Sequence, residues 1–293
     1  MQPLSQIRQL LASRDLSPRH ALGQNFLIDH NLIRKLVDAA GVTHADLVLE
    51  VGPGTGALTE ELLARGTRVV AVEIDRGLVE LLRDHFADCL TARSELAGRG
   101  GVGGAGATPL TLIEGDALAS KRSLAPAVVE ALGGRPFKLV ANLPYAAATP
   151  IISTVLLEHP ECSGIYATIQ KEVADRILAG PGSKDYGPLS IVSQVMSEPR
   201  LIATLPLECF WPRPKVTSAM VGMVRRGAPL VADPKGFADF CQRLFSQRRK
   251  QIGGVIGREG AFPEGIAPTA RAESLSISQL KALFEARGGG EGR

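Results

Sequence analysis

The chain has 293 residues, of which 45% are hydrophobic, and a formal net charge of +3. This length is enough for a full α/β core with a smaller second unit. The mildly basic balance permits a nucleic-acid partner without requiring one. No apolar run is long enough to span a membrane, and the four widely spaced cysteines favour neither a zinc site nor a disulfide framework. We therefore expect a cytoplasmic protein with no membrane partner and no metal.

The first elements along the chain are a short helix, a loop and a second helix. Residues 7–11 carry apolar side chains at helical spacing. Residues 23–27 read Gly-Gln-Asn-Phe-Leu and have little helix or strand character, so they predict a loop with Phe26 and Leu27 turned inward. Apolar positions between residues 33 and 40 predict the next helix. From the residues alone, the loop could be an ordinary connection with an apolar anchor.

The strongest single motif is the sequence Val-Leu-Glu-Val-Gly-Pro-Gly-Thr-Gly at residues 48–56. A β-prone run, three glycines and leucines at helical spacing predict a strand, a tight turn and a helix. Such a turn lets a ligand approach the backbone, and the helix directs free N–H groups at it. Glu73 ends the next predicted strand, residues 69–74, where a carboxylate can accept from both hydroxyls of a ribose. The pattern suits NAD and S-adenosylmethionine alike, and an ordinary βαβ unit remains an alternative.

The next segment is rich in glycine and alanine. Residues 94–108 predict a flexible surface insertion, and they lack the Gly-Lys-Ser/Thr ending of a phosphate-binding loop. A strand at residues 110–113 then leads to Asp116. A carboxylate there lies along the ligand crevice, where it could accept from an adenine amine or simply cap the strand end.

The second informative motif is the tetrapeptide Asn142-Leu143-Pro144-Tyr145, which follows a predicted strand at residues 137–141. It offers an amide oxygen, a carbonyl held by the following proline, and an aromatic face. Two acceptors and one stacking plane are what the exocyclic amine of a flipped base requires. A turn with a buried aromatic ring fits the same residues.

The remaining sequence completes the sheet and then changes character. Alternating residues 218–224 predict a final strand, and the close spacing of the last strands predicts an antiparallel hairpin at the end of a mostly parallel sheet. Beyond residue 227 the sequence predicts a small helical domain whose closing helix covers residues 276–287, with Ser278 as its N-cap. The fold class is therefore α/β, with domains at residues 1–226 and 227–293.

Taken together, these motifs resemble the ribosomal RNA adenine dimethyltransferase family. The matching segments, in the order of the family, are residues 23–27, 49–56, 73–75, 115–116, 142–145, 170–176, 186–190, 210–216 and 248–250. The resemblance covers about residues 18–285, and residues 170–176 and 186–190 look more like the small-subunit branch than the large-subunit, macrolide-resistance branch. The chain departs from the family at residues 146–148, where three alanines replace a usually polar stretch, and in its glycine-rich insertion.

The resemblance implies a Rossmann-like class I methyltransferase fold that binds S-adenosyl-L-methionine. The residues that it assigns to this cofactor are Asn25, Leu27, Glu50, Gly52, Gly54, Gly56, Glu73, Asp116 and Asn142. Among them, Glu50 would help to hold the amino group of the methionine end, Glu73 would bind the ribose, and Asp116 would bind the adenine amine.

The resemblance also assigns residues to the target base and to RNA. The residues assigned to catalysis are Asn142, Leu143, Pro144, Tyr145 and Phe210, and those assigned to RNA phosphates are Arg248, Arg249 and Lys250. Two acceptors would bind the target amine while aromatic rings stack on the base, and methyl transfer would be in line, with neither a metal nor a dedicated general base.

The implied function is N6,N6-dimethylation of two adjacent adenosines near the 3′ end of small-subunit ribosomal RNA, within a pre-ribosomal particle, by a monomer. Two alternatives stay open: a large-subunit dimethyltransferase of the macrolide-resistance type, and a ribosome-assembly factor with weak or no catalysis.

Overall fold

The structure is a computed structural model, and it describes residues 4–19, 22–90 and 110–288. The strands are β1 Phe26–Leu27, β2 Leu47–Val51, β3 Arg68–Glu73, β4 Leu110–Glu114, β5 Leu118–Ser120, β6 Ser123–Leu124, β7 Phe137–Asn142, β8 Cys162–Gln170, β9 Ser197–Leu205, β10 Phe210–Trp211 and β11 Ser218–Arg225. The helices are α1 Leu4–Ala12, α2 His30–Ala40, α3 Ala57–Ala64, α4 Arg76–His85, α5 Pro126–Leu132, α6 Ala148–Glu158, α7 Lys171–Leu178, α8 Pro188–Met196, α9 Pro234–Ser246, α10 Ile252–Ile256 and α11 Ile277–Glu285. The glycine-rich segment predicted at residues 94–108 lies outside the described residues.

The main sheet has the strand order β4-β3-β2-β7-β8-β11-β9. Strands β4, β3, β2, β7 and β8 pair in parallel, so their carboxyl ends lie at one edge of the sheet. The order reverses between β2 and β7, and in open α/β sheets a crevice forms at such a switch point. The α/β fold class with a mostly parallel sheet is confirmed.

Buried central strands and amphipathic helices follow directly from the sequence. Every residue of β2 is buried, as expected for a parallel strand that is covered on both faces. Helix α2 begins after the N-cap Asp29, whose side chain accepts from two backbone N–H groups, and it ends at Gly41 in the left-handed region. Its apolar residues at helical spacing are buried against the core.

The chain divides into two compact units that differ from the predicted domains. One unit contains Met1–Lys171 and Leu201–Gly222, and the other contains Glu172–Arg200 and Met223–Arg293. The chain passes between the units three times, and the composition change near residue 227 marks only the last of these passages. Helix α8 packs against α9, so the segment before it joins the C-terminal unit although its α/β pattern continues that of the first unit. Across the described ranges, no helix is both long and apolar enough to cross a bilayer.

The N-cap of the closing helix lies two residues before the predicted cap. The N-cap is Ser276, which accepts from the backbone N–H of Gln279, while the Gln279 side chain accepts from the backbone N–H of Ser276. This reciprocal pair is a capping box, a signature present in the sequence as Ser-x-x-Gln. The expectation that Ser278 caps the helix is therefore wrong.

Candidate active site

A cavity lies at the carboxyl edge of the parallel strands in the first unit, beside the switch point of the strand order. Its walls come from the loop before β1 and from the ends of β2, β3, β4 and β7. The predicted site residues that line it are Asn25, Gly52, Gly54, Glu73, Asp116, Asn142, Leu143, Pro144 and Tyr145. Most of the motifs that are far apart in the sequence therefore meet in one place.

Four of the residues predicted to contact the cofactor or the target base do not line this cavity. Leu27 and Phe210 face each other in the short antiparallel pair of β1 and β10, and both are buried. Gly56 lies at the start of α3, where an added Cβ would come within 2.7 Å of the Phe86 ring. None of these three residues lines the cavity, whereas the sequence motifs predicted direct contacts. Glu50, the fourth residue, lies in β2, just before the glycine turn.

The glycine turn after β2 leaves room at the cavity surface. Gly52 and Gly54 have φ of +72° and +61°, a region that side chains other than hydrogen disfavour. A Cβ on Gly52 would lie 3.3 Å from Pro144 Cγ, and one on Gly54 would lie 2.8 Å from Phe26 Cδ1. The turn therefore needs glycine both for its conformation and for its close packing.

Glu73 is held rigidly at the end of β3. Its two carboxylate oxygens accept hydrogen bonds from the backbone N–H groups of Asp75 (2.9 Å) and Gly54 (3.2 Å). Burial raises the pKa of the Glu73 carboxyl, and these backbone donors oppose that rise. Each carboxylate oxygen has a further lone pair for a donor in the cavity. The arrangement suits a pair of ribose hydroxyls.

Glu50 is a buried carboxyl group that accepts a hydrogen bond from a neighbouring side chain. It is 1% exposed, and its Oε2 accepts from the Thr59 hydroxyl at 2.7 Å. Burial raises the pKa of Glu50 from its ordinary value of 4.5 to about 8, with a further contribution from the Glu73 charge. The neutral form therefore predominates in the folded chain at neutral pH, which does not favour a direct ion pair with a ligand amino group.

We expect Glu50→Gln to change the pH dependence of stability. The unfolded carboxyl loses its proton near pH 4.5, but the folded one keeps it until about pH 8, so wild-type stability falls as the pH rises between these values. Glutamine does not titrate. Between these pH values the free energy of unfolding of the variant should therefore rise, relative to that of the wild type, by at most about 5 kcal/mol. Urea unfolding of both proteins at pH 5 and pH 8.5 measures this. Parallel pH profiles would contradict it.

The amide of Asn142 is oriented by the loop that precedes β1. Its Nδ2 donates to the backbone carbonyl of Asn25 at 3.0 Å, so Oδ1 is left as an acceptor at the cavity. The next backbone N–H, of Leu143, donates to the Thr168 carbonyl at 3.0 Å and fixes the strand end. The carbonyl of Leu143 precedes Pro144, which restricts its direction. Two acceptor oxygens thus come from consecutive residues.

Tyr145 is fixed at both ends of its side chain. Its ring lines the cavity, and its hydroxyl shares a 2.8 Å hydrogen bond with Ser218 Oγ, which is buried at the start of β11. Burial raises the pKa of the Tyr145 phenol, so the ring is neutral at physiological pH. A neutral, held aromatic ring is suited to stacking on a base.

Other lining residues were not predicted from the sequence. Ile74 is 51% exposed, directly after Glu73, and it lines the cavity. An exposed isoleucine beside a carboxylate that is suited to ribose hydroxyls offers an apolar surface on which a heterocyclic base can pack. The predicted residue Asp116 follows β4, the strand next to β3, and its Oδ1 accepts from the Leu118 N–H at 2.9 Å. The apolar residue after the acidic one was the signal that could have identified Ile74.

The predicted RNA-contacting run lies in the second unit, and its members differ. Arg248 donates to the carboxylate of Glu273 and to the backbone carbonyls of Ser183 (3.1 Å) and Lys184 (2.6 Å). Arg249 and Lys250 are exposed. Arg248 therefore braces its own unit, while the other two present their charges to solvent.

No cluster of three or more His, Cys, Asp or Glu residues in the described ranges could hold a metal ion.

Comparison with known proteins identifies the family of the chain. The family model described as ribosomal RNA adenine dimethylase matches residues 16–286. Proteins named ribosomal RNA small subunit methyltransferase A are similar: that of Pelotomaculum thermopropionicum is 36% identical over 95% of this chain and 94% of its own length. That of Magnetococcus marinus is 38% identical over 97% and 96%.

Solved structures share the fold. A dimethyladenosine transferase from Plasmodium falciparum has a TM-score of 0.67 at 21% identity and covers 89% of this chain and 97% of that chain. The 23S rRNA methyltransferase ErmE has a TM-score of 0.63 at 24% identity and covers 89% and 99%. On its family match, its relatives and its cavity, the chain belongs to the ribosomal RNA adenine dimethylase family and is an S-adenosylmethionine-dependent rRNA adenine dimethyltransferase.

Proposed function

We propose that this chain dimethylates N6 of two adjacent adenosines near the 3′ end of small-subunit ribosomal RNA, in an assembling particle. The observation that carries the proposal is the single cavity that holds Glu73 at one end and Asn142 with Tyr145 at the other. The small-subunit target is supported by the names of relatives that are 36% to 38% identical over almost their whole length. A cytoplasmic location and a monomeric state belong to the same proposal.

The cofactor half of the cavity fits S-adenosylmethionine. We place the ribose hydroxyls on the outward lone pairs of Glu73, the adenine against Ile74 with its amine towards Asp116, and the methionine end along Gly52 and Gly54. The positive φ values and the tight Cβ contacts of these glycines leave a backbone surface that only glycine provides. When bound, S-adenosylmethionine supplies an electrophilic methyl group on a positively charged sulfur.

The target half fits an adenine amine. The nitrogen lone pair of this amine is delocalised into the ring, which makes it a poor nucleophile. Asn142 Oδ1 and the Leu143 carbonyl accept hydrogen bonds from its two N–H groups, draw the nitrogen towards tetrahedral geometry and direct its lone pair at the methyl group. The carbon–nitrogen bond forms as the carbon–sulfur bond breaks, and the nitrogen then releases a proton to water. Tyr145 stacks on the flipped base.

The two exposed cations of the basic run are the better candidates for RNA contact. We expect Arg249→Ala with Lys250→Ala to weaken RNA binding and to reduce the slope of log affinity against log salt by about two, because each phosphate contact adds about one. The melting temperature should stay near that of the wild type. Arg248→Ala should instead lower the melting temperature, because Glu273 and the Lys184 carbonyl lose the guanidinium group as their donor. Equal effects of all three substitutions on RNA binding alone would contradict this division.

Methyl-labelled S-adenosylmethionine tests the proposed target directly. The purified chain is incubated with undermethylated small ribosomal subunits and, in parallel, with large subunits, and the labelled nucleosides are identified after digestion. We expect dimethyladenosine from the small subunit alone. Label only in the large subunit would favour the macrolide-resistance type of enzyme. Absence of label in both, with cofactor bound, would favour an assembly factor.

A further inference from the structure

The loop between α1 and β1 is tied down by a glutamine side chain that no part of the proposed chemistry uses. Gln24 Nε2 donates to Asp75 Oδ2 at 2.9 Å, and Gln24 Oε1 accepts from the backbone N–H of Arg19 at 2.7 Å. Both ends of this half-buried amide are therefore occupied, and its orientation is fixed.

The acceptor, Asp75, is fixed in turn to the ribose-binding end of the cavity. It is 3% exposed, and its backbone N–H donates to Glu73 Oε1 at 2.9 Å. Its Oδ1 caps α4 by accepting from the Gly77 N–H at 3.0 Å. Capping uses only that oxygen, whereas Oδ2 faces the loop and accepts from Gln24, with the Arg19 Nε at 3.4 Å. Asp75 therefore does more than begin a helix.

The next residue of the loop is tied to the opposite end of the cavity. The backbone carbonyl of Asn25 accepts from Asn142 Nδ2 at 3.0 Å. This bond decides whether the Asn142 side chain directs its oxygen or its NH₂ group into the cavity. If the carbonyl moved away, the amide could rotate and direct its NH₂ group, instead of its oxygen, at the target amine.

We propose that Gln24 and Asp75 are positioning residues that hold the loop between the two halves of the cavity, so that the Asn142 amide is set only when the ribose-binding end is ordered. The inference rests on the proposed function of the cavity. In it, the side chain of Gln24 binds Asp75 and does not bind a ligand. A displacement of Glu73 on binding a ribose would be transmitted through Asp75, Gln24 and Asn25.

Exchanging donor and acceptor tests the contact. Gln24→Glu places a carboxylate against Asp75, and Asp75→Asn places an NH₂ group against the Gln24 NH₂, so each single variant loses the bond with little change in size. The double variant restores it with the asparagine as donor and the glutamate as acceptor. We expect each single variant to lower kcat about tenfold or more at saturating S-adenosylmethionine, and the double variant to recover to within about threefold of the wild type.

Asp29→Asn is the matched control, since Asp29 is also the N-cap of a helix and accepts from the backbone N–H groups of Asn31 and Leu32. Because asparagine caps a helix about as well as aspartate, Asp29→Asn should change the melting temperature little, and it should leave kcat unchanged. Wild-type rates in Gln24→Glu and Asp75→Asn would overturn the proposal. A double variant that is no faster than the slower of these two single variants would also overturn it.

Hydrogen exchange supplies a readout that does not depend on turnover. Adding S-adenosylhomocysteine should slow amide exchange of residues 22–27 in the wild type, and this protection should be lost in Gln24→Ala, which removes both hydrogen bonds of a half-buried side chain. Equal protection in Gln24→Ala would overturn the coupling. A wild type that protects the loop but methylates no small-subunit RNA would leave the coupling intact and refute the proposed target.

Discussion

Gly54→Ala should weaken binding of S-adenosylhomocysteine by about 30-fold or more, measured by calorimetry. The added Cβ would lie 2.8 Å from Cδ1 and 2.9 Å from Cε1 of Phe26, so the ring or the turn must move. Phe26 is buried and lines the same cavity. Overpacking of this kind costs about 1–3 kcal/mol, and a φ of +61° adds about 1 kcal/mol for alanine. The displaced turn would carry these effects to the cofactor.

Gly41→Ala separates the clash from the backbone strain. Gly41 has a φ of +54° at the end of α2, and no atom lies within 4 Å of its added Cβ. This variant should lose stability through the same strained conformation and keep the wild-type affinity for S-adenosylhomocysteine. Equal losses of affinity in the two variants, or a wild-type affinity in Gly54→Ala, would contradict the assignment of the glycine turn to cofactor binding.

Asn142→Ala should lower methyl transfer by about 1000-fold or more while leaving the protein folded. It removes one of two acceptors for the target amine and the bond to the Asn25 carbonyl that orients it. Affinity for S-adenosylhomocysteine should fall by much less, since Glu73 and the glycine turn are unchanged. The rate of label incorporation at saturating S-adenosylmethionine, with the dissociation constant from the same preparation, measures both effects.

Asn31→Ala, on the exposed side of α2, is the control for loss of an asparagine. It should retain wild-type activity. An Asn142→Ala variant within tenfold of the wild-type rate would show that the amide is not an acceptor in the reaction.

The parts of the site that the sequence predicts are those written in contiguous motifs. The glycine turn, Glu73 at the end of a strand, and the tetrapeptide from Asn142 to Tyr145 each carry a local signal. Because all follow parallel strands, their meeting at one edge of the sheet could be inferred without a structure. The tight glycine turn between strand and helix could be predicted from the sequence in the same way.

The remaining features depend on tertiary packing that local patterns do not encode. Leu27 and Phe210 belong to matching motifs, but they pair with each other across the β1–β10 ladder and do not line the cavity. Glu50 looks like an accessible carboxylate in the motif, yet the buried strand places it against Thr59. The Gln24–Asp75 bond joins residues that are 51 positions apart, so no spacing rule reveals it.

The same limit explains the two units. Alternating helices and strands continue through residues 172–200, and only tertiary contacts, among them the packing of α8 on α9, assign this stretch to the C-terminal unit. In the basic run, Arg248 could be distinguished from its neighbours only when its bonds to Glu273 and two carbonyls were seen.

A crystal structure of the chain with S-adenosylhomocysteine tests the central claim most directly. The account requires the ribose hydroxyls on Glu73 and the adenine between Ile74 and Asp116, with the sulfur directed towards the Asn142 amide oxygen and that half of the cavity open for a base. Cofactor bound elsewhere, or its adenine against Tyr145 and Asn142, would contradict the assignment of the two halves.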